Sequence, residues 1–159
     1  MLPENADQIY NEVNAKLSSE AFRPRALFER FQIEILATTE SPIDPLTHHQ
    51  TLRDSGWQGN VITAFRPDPV VDPEFEGFAE NVGRLAEITE ENANTWDGYL
   101  KALQQRREYF KSMGATSTDH GHPTATTADL SRAECERLLS GALAGKLSAE
   151  EADQFRGQM

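Results

Sequence analysis

The sequence predicts an α/β fold built on a parallel sheet, on three observations. Short apolar runs alternate with helical segments, the order that gives strand–helix crossovers rather than hairpins. The first two runs begin about 27 residues apart, close to one β-α-β unit. Each run closes on polar residues: Thr38-Thr39-Glu40, Arg66-Pro67-Asp68 and Thr118-Asp119-His120. Functional groups of parallel α/β folds collect at the carboxyl ends of the strands, so three polar ends in succession are expected to converge.

Taken in order, Asn5 caps a helix through about Leu17, with Ile9, Val13 and Leu17 on one face. Pro24 suits the first turn of a second helix that runs to Phe31. Residues 33–40, IEILATTE, form a buried strand. Asp44-Pro45 opens the next helix, which stops at Gly56. The strand NVITAFR follows, residues 60–66. Past a proline-rich loop, Phe78, Val82, Leu85 and Ile88 fall at helical spacing. A longer helix is capped by Thr95 and closed by Gly114, with Trp96, Tyr99, Leu100, Leu103, Phe110 and Met113 as its stripe. Residues 115–119, ATSTD, read as a third short strand. Ser131 with Glu134, and Ser148 with Glu151, are capping boxes that open the last two helices.

The 159 residues are enough for a substantial core. Three strands are few for a doubly wound domain, and a closed eight-unit barrel takes about 250 residues, so a whole barrel is excluded. The chain divides into a helical lead-in, residues 1–32, and a partial β/α barrel segment, residues 33–159. A net charge of -11 speaks against nucleic acid, which calls for a basic face. No apolar run reaches the ~20 residues of a membrane helix, and the N-terminus does not read as a secretory signal. Cys135 stands alone, which fits a small core residue in a cytoplasmic protein.

At the strand ends, Arg66 offers a rigid fork that grips a carboxylate, with Pro67 fixing the backbone after it. Asp68 steadies the guanidinium or caps a following turn; the plainer alternative is a surface Arg–Asp pair of little energetic weight. Asp119 and His120 read as polar groups lining a site. His120 and His122 have metal-ligand spacing, but they follow the strand and precede Pro123, where solvated loop histidines are the alternative. His48 and His49 are adjacent in a helix and point about 100° apart, so one faces the sheet and one the solvent.

The stretches FRPRALFERFQIEILATTE, DPLTHH, SGWQGNVITAFRPD and GATSTDHGHP together resemble the central portion of uronate (glucuronate) isomerases, over roughly residues 8–159. The resemblance implies a distorted (β/α)8 TIM barrel of the metal-dependent amidohydrolase-like type, of which this chain holds about three parallel strands and their flanking helices. It implies aldose–ketose isomerisation of D-glucuronate to D-fructuronate and of D-galacturonate to D-tagaturonate. It also implies a divalent metal, often zinc, whose His-x-His and Asp ligands lie on first and last strands that this chain lacks, so no metal is expected on this segment. In this reading Arg66 binds the sugar acid, Asp119 and His120 are catalytic, and Glu40 stands where an aspartate is expected. The segment alone is expected to be inactive, its expected partners being a small sugar acid and further copies of itself, but neither nucleic acid nor membrane. A free-standing α/β domain that binds a small acidic ligand, or an assembly scaffold, is the alternative.

Overall fold

The computed structural model describes residues 5–159. Its elements are α1 (Ala6–Leu17), a 3-10 turn (Glu20–Phe22), α2 (Pro24–Arg30), β1 (Leu36–Glu40), α3 (Thr47–Asp54), β2 (Val61–Phe65), α4 (Asp68–Val71), α5 (Phe78–Thr89), α6 (Trp96–Ser112), α7 (Arg132–Leu143) and α8 (Ala149–Gln158).

β1 and β2 pair in parallel, from Leu36 opposite Val61 to Glu40 opposite Phe65. The expected third strand is a correction. Residues 115–119 contribute one parallel bridge, Thr118 to Phe65, so the described residues hold two strands rather than about three. The bridge rests on Phe65 N–H donating to the Ser117 carbonyl (3.1 Å) and Asp119 N–H donating to the Phe65 carbonyl (2.9 Å). Thr116, Ser117 and Thr118 are exposed, with no apolar face to dock along β2. β1 is also shorter and wetter than expected: it starts at Leu36, and Ile35 and Leu36 are exposed.

The start of α3 departs from expectation too. Asp44 Oδ1 accepts from Leu46 N–H at 2.6 Å, and Leu46 takes a left-handed φ of 56° at the N-cap. The Asp44 side chain thus builds a local turn, which delays the helix to Thr47. Arg106 of α6 latches this loop, donating from Nε to the Pro42 carbonyl at 2.6 Å and from Nη2 to the Asp44 carbonyl at 2.9 Å. Tyr109 adds a hydrogen bond to the Pro45 carbonyl at 2.7 Å. α3 ends at Asp54 with Ser55 as its C-cap, and Gly56 follows with φ +69°, the left-handed stop expected there.

The core lies mainly among the helices. Phe155 of α8 meets the rings of Phe78, Trp96 and Tyr99 at 6.2–6.3 Å between centroids, and Leu85, Leu103, Leu138 and Leu139 complete it. Tyr99 is fully buried, and its hydroxyl donates to the Val70 carbonyl at 2.6 Å, so it ties α6 to α4. Cys135 is buried in the same core, as its sequence context suggests. Both capping boxes form. Ile88 and Leu100, assigned to apolar stripes, lie exposed at their edges.

A candidate site at the carboxyl ends of the strands

β2 carries Thr63, Ala64 and Phe65 into full burial and then releases Arg66 to the surface. Arg66 N–H donates to the Glu40 carbonyl at 3.0 Å, which extends the ladder by one residue and sets the guanidinium at the strand exit. Pro67 then starts α4, placing Asp68 at its first turn. Across the Phe65–Thr118 bridge, Asp119 arrives beside them. Arg66 Nε lies 3.4 Å from Asp68 Oδ2 and 3.4 Å from Asp119 Oδ2. The strand-end convergence of Arg66 and Asp119 therefore exists in space.

The turn after Asp119 folds back on α4. Gly121 N–H donates to Asp68 Oδ1 at 2.6 Å. An added Cβ at Gly121 would meet that oxygen at 3.0 Å, so the close approach favours glycine. Arg66, Asp68, Pro69, Asp72, Phe75 and Gly121 line an open cleft of about 380 Å³. The rings of His120 and His122 stack edge to face with centroids 4.9 Å apart. His120 is held below the usual histidine range, first by burial and then by His122, with Arg107 adding to the effect and Asp68 and Asp119 opposing it. It is accordingly neutral near pH 7, the form that can accept a proton.

Glu40 does not join this group. Register partners share a face of a sheet, so Thr38, Glu40, Thr63 and Phe65 point the same way. Phe65 packs on Phe110 of α6, 5.1 Å between centroids. Thr63 donates its hydroxyl to the Glu40 carboxylate, and His49 Nε2 sits 2.9 Å from Thr38 Oγ1 and 3.8 Å from Glu40 Oε2. His48 is exposed while the His49 side chain is only 9% exposed, the split that adjacent helical positions predict.

Two features were not legible in the sequence, which offered Asp68 as a partner of Arg66 or a turn cap but not its reach to Gly121. Asp68 holds the Gly121 turn through a contact 53 positions away, which no local pattern encodes. Arg107, on the exposed side of α6, lies 5.7 Å from the Phe65 ring centroid and acts electrostatically on His120; its position three residues before Phe110 is the only hint. Among the described residues no group of three His, Cys, Asp or Glu side chains is arranged to hold a metal ion, and no helix is long and apolar enough to cross a membrane.

The exit of β2, the helix that follows it and the turn bridged beside it bring a guanidinium, two carboxylates and an imidazole together, which defines an α/β protein with its candidate site at the carboxyl end of β2. Known proteins narrow this. The glucuronate isomerase family matches residues 1–159. The uronate isomerase of Rhizorhabdus wittichii is 58% identical over 159 residues, which cover 100% of this chain and 34% of that protein. That of Xanthomonas campestris is 55% identical over 155 residues, 98% of this chain and 33% of the relative. The crystal structure of glucuronate isomerase from Caulobacter crescentus superposes with a TM-score of 0.89 at 50% identity, covering 98% of this chain and 32% of that one. Uronate isomerase from Thermotoga maritima gives 0.85 at 28% identity, over 97% and 34%. The chain belongs to the glucuronate isomerase family, and it spans about a third of the length of the relatives it matches.

Proposed function

We propose that this chain supplies part of the sugar-acid rim of a cytoplasmic uronate isomerase, an enzyme of the amidohydrolase-like (β/α)8 type that interconverts D-glucuronate with D-fructuronate and D-galacturonate with D-tagaturonate. The observation that carries the reading is Arg66 between Asp68 and Asp119 at the carboxyl ends of parallel elements.

In this reading the Arg66 guanidinium holds the substrate carboxylate. Its close contacts to Asp68 and Asp119 run through Nε, which leaves the terminal Nη1–Nη2 edge, one of the two that can grip a carboxylate with two parallel hydrogen bonds, for the substrate. Asp119 steadies the guanidinium at the same Nε that Asp68 faces and, with His120, forms the proton-handling pair. An aldose–ketose isomerisation moves a proton between adjacent carbons, and a neutral His120 is suited to take it up. Charge balance sets a further requirement. One guanidinium against two carboxylates sums to -1, so an incoming sugar acid needs more positive charge. Arg107 contributes some of it.

The divalent metal implied by the resemblance would polarise the sugar carbonyl. The donors of this chain do not make its cage: His120 and His122 stack on each other, and Asp68 is committed to Gly121 and Arg66. The ligands are assigned to the remaining two thirds of the enzyme, and the 159-residue chain alone is expected to turn over no glucuronate, with or without zinc.

The test is a chimera in which this chain replaces the matching third of the Rhizorhabdus wittichii enzyme. Glucuronate isomerisation within about tenfold of the parent's is the expected result, since each tenfold corresponds to about 1.4 kcal/mol of barrier. A folded chimera that binds metal but converts no uronate would contradict the assignment.

A further inference from the structure

Asp68 is 8% exposed, and burying a carboxylate is costly unless it is paired and hydrogen-bonded. Its two oxygens face two different structures. Oδ1 accepts the Gly121 N–H at 2.6 Å. Oδ2 is buried without a hydrogen bond and faces Arg66 Nε at 3.4 Å. The Asp68 backbone belongs to α4, which Tyr99 anchors through the Val70 carbonyl. One rigid carboxylate thus spans the strand exit that bears Arg66 and the turn that bears Asp119 and His120.

We infer that Asp68 is a positioning residue, setting the distance between the Arg66 guanidinium and the Asp119–His120 turn by holding one with each oxygen. This rests on the uronate isomerase reading for its catalytic consequence, but the clamp itself does not. A turn free of Asp68 would be left to the Phe65–Thr118 bridge and the half-exposed Asp119–Arg66 pair, and His120 would lose its fixed relation to a sugar whose acid end Arg66 holds. Misplacing a catalytic group by even an ångström is costly, because orientation is a large part of rate enhancement.

Two substitutions separate the two oxygens' roles. Asp68→Asn keeps an acceptor for Gly121 and removes the charge that faces Arg66. Asp68→Ala removes both. The first measurement is the Gly121 amide proton by NMR in the 159-residue chain. Its resonance is expected far downfield in the wild type, shifted only part of the way back in Asp68→Asn, and at an ordinary position in Asp68→Ala. The second is kinetics in the chimera. Asp68→Asn is expected to raise KM for glucuronate by no more than roughly tenfold, the lost placement of the Arg66 guanidinium outweighing the relief of one negative charge at the rim. Asp68→Ala is expected to lower kcat as well, by roughly a further hundredfold. An unperturbed Gly121 amide in the alanine variant overturns the clamp whatever the kinetics. Equal losses of kcat in both variants, tracking a lowered melting temperature, overturn the positioning role in favour of a merely structural one. A wild-type chimera without activity sinks the isomerase reading instead, and the amide shift then decides the clamp.

Discussion

From α5 to α8 each helix buries a stripe against its neighbours, whereas from α1 to β1 the chain buries almost nothing. Phe155 is 1% exposed, inside a cage of three other aromatic rings. Phe31, at the end of α2, is 67% exposed. α1, α2 and α3 bury no residue fully, and Val13 and Leu17, the expected apolar face of α1, are exposed. Both regions show equally clear helical periodicity in the sequence. The pattern therefore states that a face is meant for burial, not what buries it. The relatives that contain this stretch are about three times its length, and their additional chain is where we look for the missing cover.

The contrast is open to direct attack by mutation and urea denaturation of the 159-residue chain. The largest effect is expected at Phe155→Ala, a loss of about 3–5 kcal/mol, as for other buried aromatics. Trp96, in the same cage, serves as the fluorescence reporter. A loss below about 1 kcal/mol would mean that the aromatic cage is not the stability centre. Next comes Arg156→Met. Arg156 is buried and donates to Asp72 Oδ1 at 2.8 Å and Glu74 Oε2 at 2.7 Å, pinning the loop that walls the cleft. Removing it is expected to cost about 2–3 kcal/mol, less than a fully buried pair because Glu74 reaches solvent. Ser148→Ala, which breaks the α8 capping box, is expected to cost about 1 kcal/mol. Phe31→Ala should change stability by no more than about 0.5 kcal/mol; a loss matching that of Phe155→Ala would erase the distinction between the regions.

Acid adds a test of the helix starts. Glu151 is held below the usual carboxylate range, first by the Ser148 backbone N–H and then by Arg137. Glu134 is held low by the Ser131 hydroxyl and backbone N–H. A carboxylate depressed in the folded state contributes stability above its unfolded value and loses it as pH falls through the folded one. Protection against hydrogen exchange, relative to the intrinsic rate at each pH, should therefore weaken at the first turns of α7 and α8 as pH falls below the usual glutamate value of about 4.3, and Glu151→Gln should flatten that response at α8.

Much of this was legible in the residues. Helix positions followed from periodicity and caps: Ser131–Glu134 and Ser148–Glu151 are local signals satisfied within one turn. The parallel pairing of β1 and β2 followed from the helix between them, and the meeting of Arg66 with Asp119 followed from strand ends sharing a rim. What escaped depends on contacts distant in sequence or on side chains that rewrite the local backbone. Asp44 turns the chain before α3 can start, α4 forms directly on Pro67, and Glu40 is drawn toward Thr63 and His49. The run 115–119 has strand composition, yet only one residue of it bridges β2.

The central claim is that the Arg66 guanidinium, presented at the exit of β2, holds the acid group of a uronate. The measurement that tests it most directly is the KM for D-glucuronate, with metal content determined in parallel, of the chimera carrying Arg66→Met. A rise in KM of roughly tenfold to hundredfold, the scale of lost charge-assisted hydrogen bonds, with metal content unchanged, is the predicted result. An unchanged KM, or loss of the metal in its place, would contradict it.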